Sequence, residues 1–320
     1  MLKFVGRRLI MMIPVLLGVS LLIFTLLYFT PGDPATSILG DMATEEDKEI
    51  FREENGLNDP FIKRYVDYVT GIIFEGDLGT SYTTKQPVMT EILQRFPVSF
   101  ALAAVSGVVA TVIGVVCGII SATRQYSIFD NIITVISMIG VSMPGFWQGM
   151  MMIVIFSVYL GWFPPSGFST PLHWVLPCFT IGTVSAASIM RMTRSSMLEV
   201  IRQDYIRTAL AKGQTVRVII TRHALKNALI PIITVIGLNF GRQLGGVVVM
   251  ESVFSIAGLG KLMVDGIKVK NYPLVQGGIL FMAFTTCIIN LLIDIIYAYV
   301  DPRIRSQYTA GKKRKKEGEN

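Results

Sequence analysis

The chain has 320 residues, of which 52% are hydrophobic and only 16% charged, against about 25% charged in ordinary soluble domains. Its formal net charge is nonetheless +7, with a mean hydropathy of +0.56. Such a composition excludes a disordered chain and argues against a soluble domain. Where the basic excess sits becomes the informative question.

Lys3, Arg7 and Arg8 precede an apolar run from Leu9 to Phe29. A signal-peptide core is about 7–15 residues and ends in a small-residue cleavage site; this run is longer and lacks one, so it reads as a retained membrane span. A helix needs roughly 20 apolar residues to cross a bilayer. Six stretches qualify: 9–29, 97–122, 132–160, 174–190, 228–250 and 276–300. The third contains Pro144-Gly145, where a kink or break is expected. The fourth is the shortest. Its Gly182, Ser185, Ala186, Ala187 and Ser188 suit close helix contact in lipid. The chain thus divides into an N-terminal span (1–30), an outer loop (31–96), a five-span core (97–300) and a basic tail (301–320). The expected class is all-α, a polytopic membrane protein with six transmembrane helices.

In the 31–96 loop, Thr44 before Glu45-Glu46-Asp47 predicts a capped helix start, and Asn55-Gly56 its stop. Asp59-Pro60 predicts the start of a second helix, with Phe61, Ile62, Tyr65, Val66 and Val69 as its apolar stripe. This segment reads as a small helical cap or as a docking platform for a partner.

Charge decides the orientation. The 31–96 loop holds 13 acids and 6 bases, and residues 191–227 hold 8 bases and 2 acids. The tail adds 7 bases against 3 acids. With six spans, both termini and loop 191–227 share a face of net charge +13, opposite a face of −6. The positive-inside rule makes the basic face cytoplasmic. The Lys312–Lys316 run is therefore read as a topology or lipid contact, with no nucleic acid needed. Cys117, Cys178 and Cys287 lie in apolar stretches, and no Cys/His spacing suggests a disulfide framework or a metal. His173 and His223 are far apart. No G-x-x-x-x-G-K-[ST] phosphate cradle is present.

Residues 191–227 are too long and too periodic for a plain connection. Met197, Val200 and Ile201, then Tyr205 and Ala209, then Val216, Ile219 and Ile220 fall at helical spacing, interrupted at Gly213. Two amphipathic helices meeting at Gly213 suit a partner's groove or the lipid headgroups.

Here the sequence resembles a family. The segments Asp204-Tyr205-Ile206-Arg207-Thr208-Ala209-Leu210-Ala211-Lys212-Gly213 and Arg222-His223-Ala224-Leu225-Lys226-Asn227-Ala228-Leu229-Ile230-Pro231 are similar to the cytoplasmic loop of ABC importer permeases. In order along the chain, Pro31-Gly32-Asp33-Pro34, Gly56–Pro60, Gly76–Ser81, Glu251–Gly260 and Asp301–Arg305 match the first permease subunit of dipeptide, oligopeptide, glutathione and nickel importers. The wider family's Glu-Ala-Ala pattern reads Arg207-Thr208-Ala209 here. The resemblance implies a type I ABC importer permease fold and no catalysis or cofactor in this chain. ATP with magnesium would sit on two partner ATPases. A homologous second permease and an extracytoplasmic binding protein would complete the machine in a bacterial cytoplasmic membrane. It also implies that the Ala209–Gly213 turn docks on an ATPase. Asp204, Arg207 and Ala211 are further coupling residues, although Asp204 and Arg207 also suit local capping or pairing. Small peptides are the expected substrate, with glutathione and nickel complexes as alternatives.

Arg242 and Asp294 are intramembrane charges, each a functional site by default. At 1.5 Å rise per residue, Arg242 lies about 21 Å and Asp294 about 9 Å from the cytoplasmic ends of their spans, which argues against a direct bridge. Asp294 is expected to be structural. Arg242 is expected on the translocation path, attracting a substrate carboxylate; pairing with the second permease or snorkelling outward is the alternative. A stand-alone channel or ion-coupled transporter would need a pore ring or midplane carboxylates, which the spans do not offer. A membrane-embedded enzyme would need convergent His, Asp, Glu or Ser groups, and no span carries a His.

Overall fold

The computed structural model describes residues 2–300, so the basic tail and Asp301–Arg305 lie outside the described residues. The elements are α1 Leu2–Tyr28, α2 Pro34–Leu39, α3 Glu45–Glu54, α4 Phe61–Thr70 with a π-helical turn Gly71–Glu75, α5 Val88–Thr123 and α6 Ile128–Ser142. They continue with α7 Gly145–Met152 and its π-helical extension Ile153–Tyr159, α8 Pro171–Ile201, α9 Asp204–Ala211 and α10 Val216–Val218. A π-helical turn Ile219–Ala224 leads into α11 Leu225–Val253, followed by α12 Leu259–Lys268 and α13 Tyr272–Val300. Among the described residues no strand forms, only one isolated bridge, Thr80 with Pro87.

Five helices are long and apolar enough to cross a membrane, or six if the bent pair α6–α7 counts as one span. That pair is the third expected span, and it breaks at Pro144 as expected, bending by 109°. Proline cannot donate to the i−4 carbonyl, so α6 stops before it. The fourth span is corrected. It is not a short helix but 31 residues of α8, running through Arg191 and Arg194 to Ile201.

The helices form two compact units. The first gathers the chain up to Ala101 with Ser166–Phe168 and Val247–Cys287. In it α4 packs beside α1: Phe24 meets Phe61 and Tyr65 edge-on at 5.3 Å, and the Tyr65 hydroxyl lies 3.0 Å from Ser20 Oγ. The expected Thr44 capping box forms with Asp47. Gly56, at φ +61°, ends α3, with its N–H and that of Leu57 returning to Glu53 and Arg52. Asp59 does not cap α4. The helix begins one residue later than expected, after Pro60, and Asp59 instead accepts from Lys63 at 2.9 Å. The short α2 was not foreseen. Its cap is Asp33, which accepts from the amides of Ala35 and Thr36 and from Arg52 at 2.8 Å. Burial opposes ionisation of Asp33, yet Arg52 and the two amides hold its pKa below the ordinary value.

Two motif segments acquire physical reasons in this unit. Asn271, fully buried, accepts from the Tyr82 amide at 3.0 Å and donates to Ser81 Oγ at 2.8 Å, pinning the turn after Gly76–Ser81. Glu251, also fully buried, accepts from the Lys261 amide in the first turn of α12. The helix has Gly258 as N-cap and no side-chain cap of its own, so Glu251 supplies the missing acceptor from α11. A Cβ on Gly258 would run into the Glu251 carboxylate.

The second unit holds Leu102–Pro165, Ser169–Gly246 and the chain from Ile288. α8 is its centre: half of its most apolar stretch is buried, against 6% for α13 and 11% for α1. Close approach to α5 comes from Gly114 and Gly118. A Cβ on Gly118 would lie 2.5 Å from Thr193 Cβ and 2.8 Å from the Met190 carbonyl oxygen. Because backbone cannot yield as a side-chain tip can, Gly118→Ala should destabilise the purified protein by about 1–3 kcal/mol. Gly245→Ala, where nothing lies within 4 Å, should leave the unfolding midpoint unchanged or raised. Equal midpoints for the two variants would refute this account of the α5–α8 contact.

Candidate functional site

The basic segment 191–227 is less a loop than two long helices with a short one between them. Residues 191–201 belong to α8, and 216–227 lead into α11. Helices flank Gly213 as expected, but Met197–Ile201 belong to α8, so the first of the two is only α9 and the second is the start of the path into α11. Gln203 holds an extended conformation at the start of α9. At its end Gly213 takes φ +76°, its N–H reaching the Leu210 carbonyl and that of Gln214 reaching Ala209. This is a Schellman turn, which requires the left-handed residue glycine supplies.

The lower face of α9 is anchored. Ile206 and Ala209 are buried in an apolar cluster with Met197, Ile219, Ala224, Ala228 and Ile232. The Tyr205 hydroxyl accepts from Asn227 Nδ2 at 2.9 Å, tying α9 to α11. The upper face presents Tyr205, Arg207, Thr208, Leu210 and Ala211 as exposed residues. Leu210 is 50% exposed and Tyr205 43%, both large apolar groups without cover. Asp204 and Arg207 lie 3.9 Å apart with side chains 97% and 76% exposed. A surface pair of that kind adds little to stability. The structure therefore separates the expected coupling residues. Ala209 points into the core and positions α9, whereas Asp204, Arg207, Ala211 and Gly213 are exposed. The sequence reading passed over Leu210, although its place one residue after a buried position was a usable signal.

A second feature was also missed. Asp130, 3% exposed in the first turn of α6, accepts from Arg194 Nε at 3.0 Å and Nη2 at 2.9 Å. Ser121 Oγ and the Tyr126 amide complete its shell. The sequence does not reveal this pair, because its partners lie 64 residues apart. The bidentate fork fixes α8 to α6 and to the end of α5, and α8 carries the anchor of α9. α11 carries both the anchor of α9, at Asn227, Ala228 and Ile232, and, further along, Arg242.

Arg242 is exposed on α11, beside Leu238, Gly245 and Val249 on the same stripe. Among the described residues no carboxylate lies within 4.0 Å of it. Its neighbours Asn239 and Gln243 turn the other way and donate to Ser188 at 2.8 Å and Ser185 at 3.1 Å on α8. The Gln243 carbonyl oxygen is buried without a partner. Asp294 is half-buried on α13.

Residues 114–306 match the family described as binding-protein-dependent transport system inner membrane component, and residues 1–103 match its N-terminal companion. The dipeptide transport system permease protein of Alkalihalophilus pseudofirmus is 40% identical, the match covering 95% of this chain and 100% of the relative. The glutathione transport system permease protein of Pectobacterium atrosepticum is 41% identical over 95% and 99%. Among solved structures, the inward-facing MetNI methionine ABC transporter matches at a TM-score of 0.54 with 22% identity, over 67% of this chain and 97% of that one. That likeness supports the type I importer permease fold. The chain belongs to the binding-protein-dependent inner membrane permeases, and within them to the dipeptide and glutathione group of ABC importer subunits.

Proposed function

We propose that this chain carries small peptides across a bacterial cytoplasmic membrane, as one half of a permease pair above two ATPases and below an extracytoplasmic binding protein. Both termini and α9 face the cytoplasm, in keeping with the +13 and −6 charge partition. The observation that carries the reading is α9: a two-turn helix with its lower face locked in the core and its upper apolar residues uncovered. Such a face fits a partner's groove. Closure of the ATPases by ATP, which they and not this chain hydrolyse, would move α9 with the α8 and α11 ends. The permease pair then switches between inward-open and outward-open states as a two-state rigid-body change. Glutathione is the alternative substrate, favoured by the 41% identical relative.

The test of the function is uptake. Deleting the gene should abolish import of a labelled dipeptide, and restoring it should recover import. If glutathione import alone responds, the alternative is the correct one. Within the pathway, Arg242 is assigned to draw in the substrate carboxylate. Arg242→Gln should lower uptake of a free-acid dipeptide severalfold and spare its C-terminal amide. Unchanged uptake and unchanged preference at normal membrane levels would remove Arg242 from the pathway.

A further inference from the structure

The first unit contains a polar cavity of about 170 Å³ that the transport reading leaves unused. It is lined by residues that include Asp59, Arg64, Asp67, Tyr68, Tyr82 and Tyr272. At about 30 Å³ per liquid water, that is room for about five waters or one small solute. Arg64 and Asp67 stand three residues apart on α4, a spacing at which opposite charges on a helix ordinarily meet. Here they do not. Among the described residues neither has an oppositely charged group within 4.0 Å. Arg64 makes one long bond to the Leu57 carbonyl at 3.4 Å and lies 5.5 Å over the Tyr28 ring, so most of its five donors are unused. Asp59 is already taken by Lys63. The Tyr68 hydroxyl is buried and has no partner. Burial raises the pKa of Tyr68, and that of Tyr82 to about 12, so both phenols stay protonated and available as donors at neutral pH.

We infer that this cavity is a second solute site, which takes a small zwitterion whole: its carboxylate on Arg64 and the Tyr68 hydroxyl, its ammonium on Asp67, exposed at the rim. An orphaned donor beside an uncompensated guanidinium asks for an anion. Asp67 is not bonded to Lys63, which sits one turn back and is engaged by Asp59, so its carboxylate is open to a solute that also carries a cation. The site deepens the peptide reading, since it gives a delivered peptide a foothold on the extracytoplasmic face. It rests on that reading only for the identity of the ligand's source.

The experiment is isothermal titration of the full chain in phosphatidylcholine nanodiscs with diglycine, N-acetylglycine, glycinamide and inorganic phosphate. Diglycine should bind saturably, glycinamide at least tenfold more weakly. Arg64→Gln should weaken diglycine at least tenfold. Tyr68→Phe, which leaves the ring packing intact, should weaken it severalfold. Asp67→Asn should weaken diglycine while sparing N-acetylglycine. The inference is overturned if diglycine shows no saturable binding, if Arg64→Gln and Tyr68→Phe both bind as the parent does, or if glycinamide binds as tightly as diglycine. Displacement of diglycine by inorganic phosphate at lower concentration would reassign the cavity to a phosphate such as a lipid headgroup. Because binding is read on the chain alone, loss of cellular uptake with binding retained would count against the transport reading only.

Discussion

Leu210→Glu is expected to leave the permease at its normal level in the membrane and to reduce uptake at least tenfold. The side chain is half-exposed on α9, so the fold loses little when it is replaced. Its value lies in the complex. Burying a leucine against a partner is worth about 1.5–3 kcal/mol, and a carboxylate forced into an apolar groove costs more unless it finds a donor. A loss of 1.4 kcal/mol is already a factor of ten in an equilibrium. Ile206→Ala, one turn earlier, should behave differently. Ile206 is 1% exposed, and its truncation should cost about 2–5 kcal/mol of stability, lowering the amount of protein itself. Co-purification of the ATPase with each variant separates the two effects. If Leu210→Glu retains both ATPase and uptake, α9 does not dock through this face.

The second large effect is expected at Asp130. Its side chain is 4% exposed and that of Arg194 is 30% exposed. Removing one member of a buried pair leaves the other uncompensated and costs about 3–5 kcal/mol. Asp130→Asn should therefore lower the thermal unfolding midpoint strongly. Removing both charges should cost less than removing one, because the stranded guanidinium disappears. In Asp130→Leu/Arg194→Met the midpoint should return part of the way to the parent. A double variant no better than Asp130→Leu alone would show that the bonds from Ser121 and Tyr126, not the ion pair, hold this corner. Uptake measured on the stable double variant would then reveal whether the clamp also positions α9.

These two sites were unequally legible. The periodicity of residues 204–213 and the glycine after it predicted a helix and its stop, and Gly213 adopts the left-handed conformation such a stop needs. Periodicity could not say which helix each flanking turn belonged to. Membrane-span prediction ends a helix where charges begin, yet α8 carries Arg191 and Arg194 well beyond that point. A helix that leaves the bilayer needs no apolar surface all round, only the stripe of Met197 and Ile201 that packs on α9 and α11. The Asp130–Arg194 pair was hidden for another reason. Its partners are distant in the chain, and net charge by segment cancels an ion with its sequence neighbour rather than its spatial one.

What the sequence determined by itself is the class and the uneven placement of its charge. The apolar runs, the retained N-terminal span and the unequal distribution of Lys and Arg are sums over many residues, and no single contact can reverse them. The break in the third span was likewise written in Pro144, because a missing N–H acts locally wherever the residue sits. Tertiary structure alone decided which residues of α9 face outward, why Gly118 and Gly258 have no room for a side chain, and which charges meet. Those outcomes depend on pairs such as Gly118 with Met190, Glu251 with the α12 amides, and Asp130 with Arg194. Each joins groups whose separation along the chain carries no trace of their distance in space.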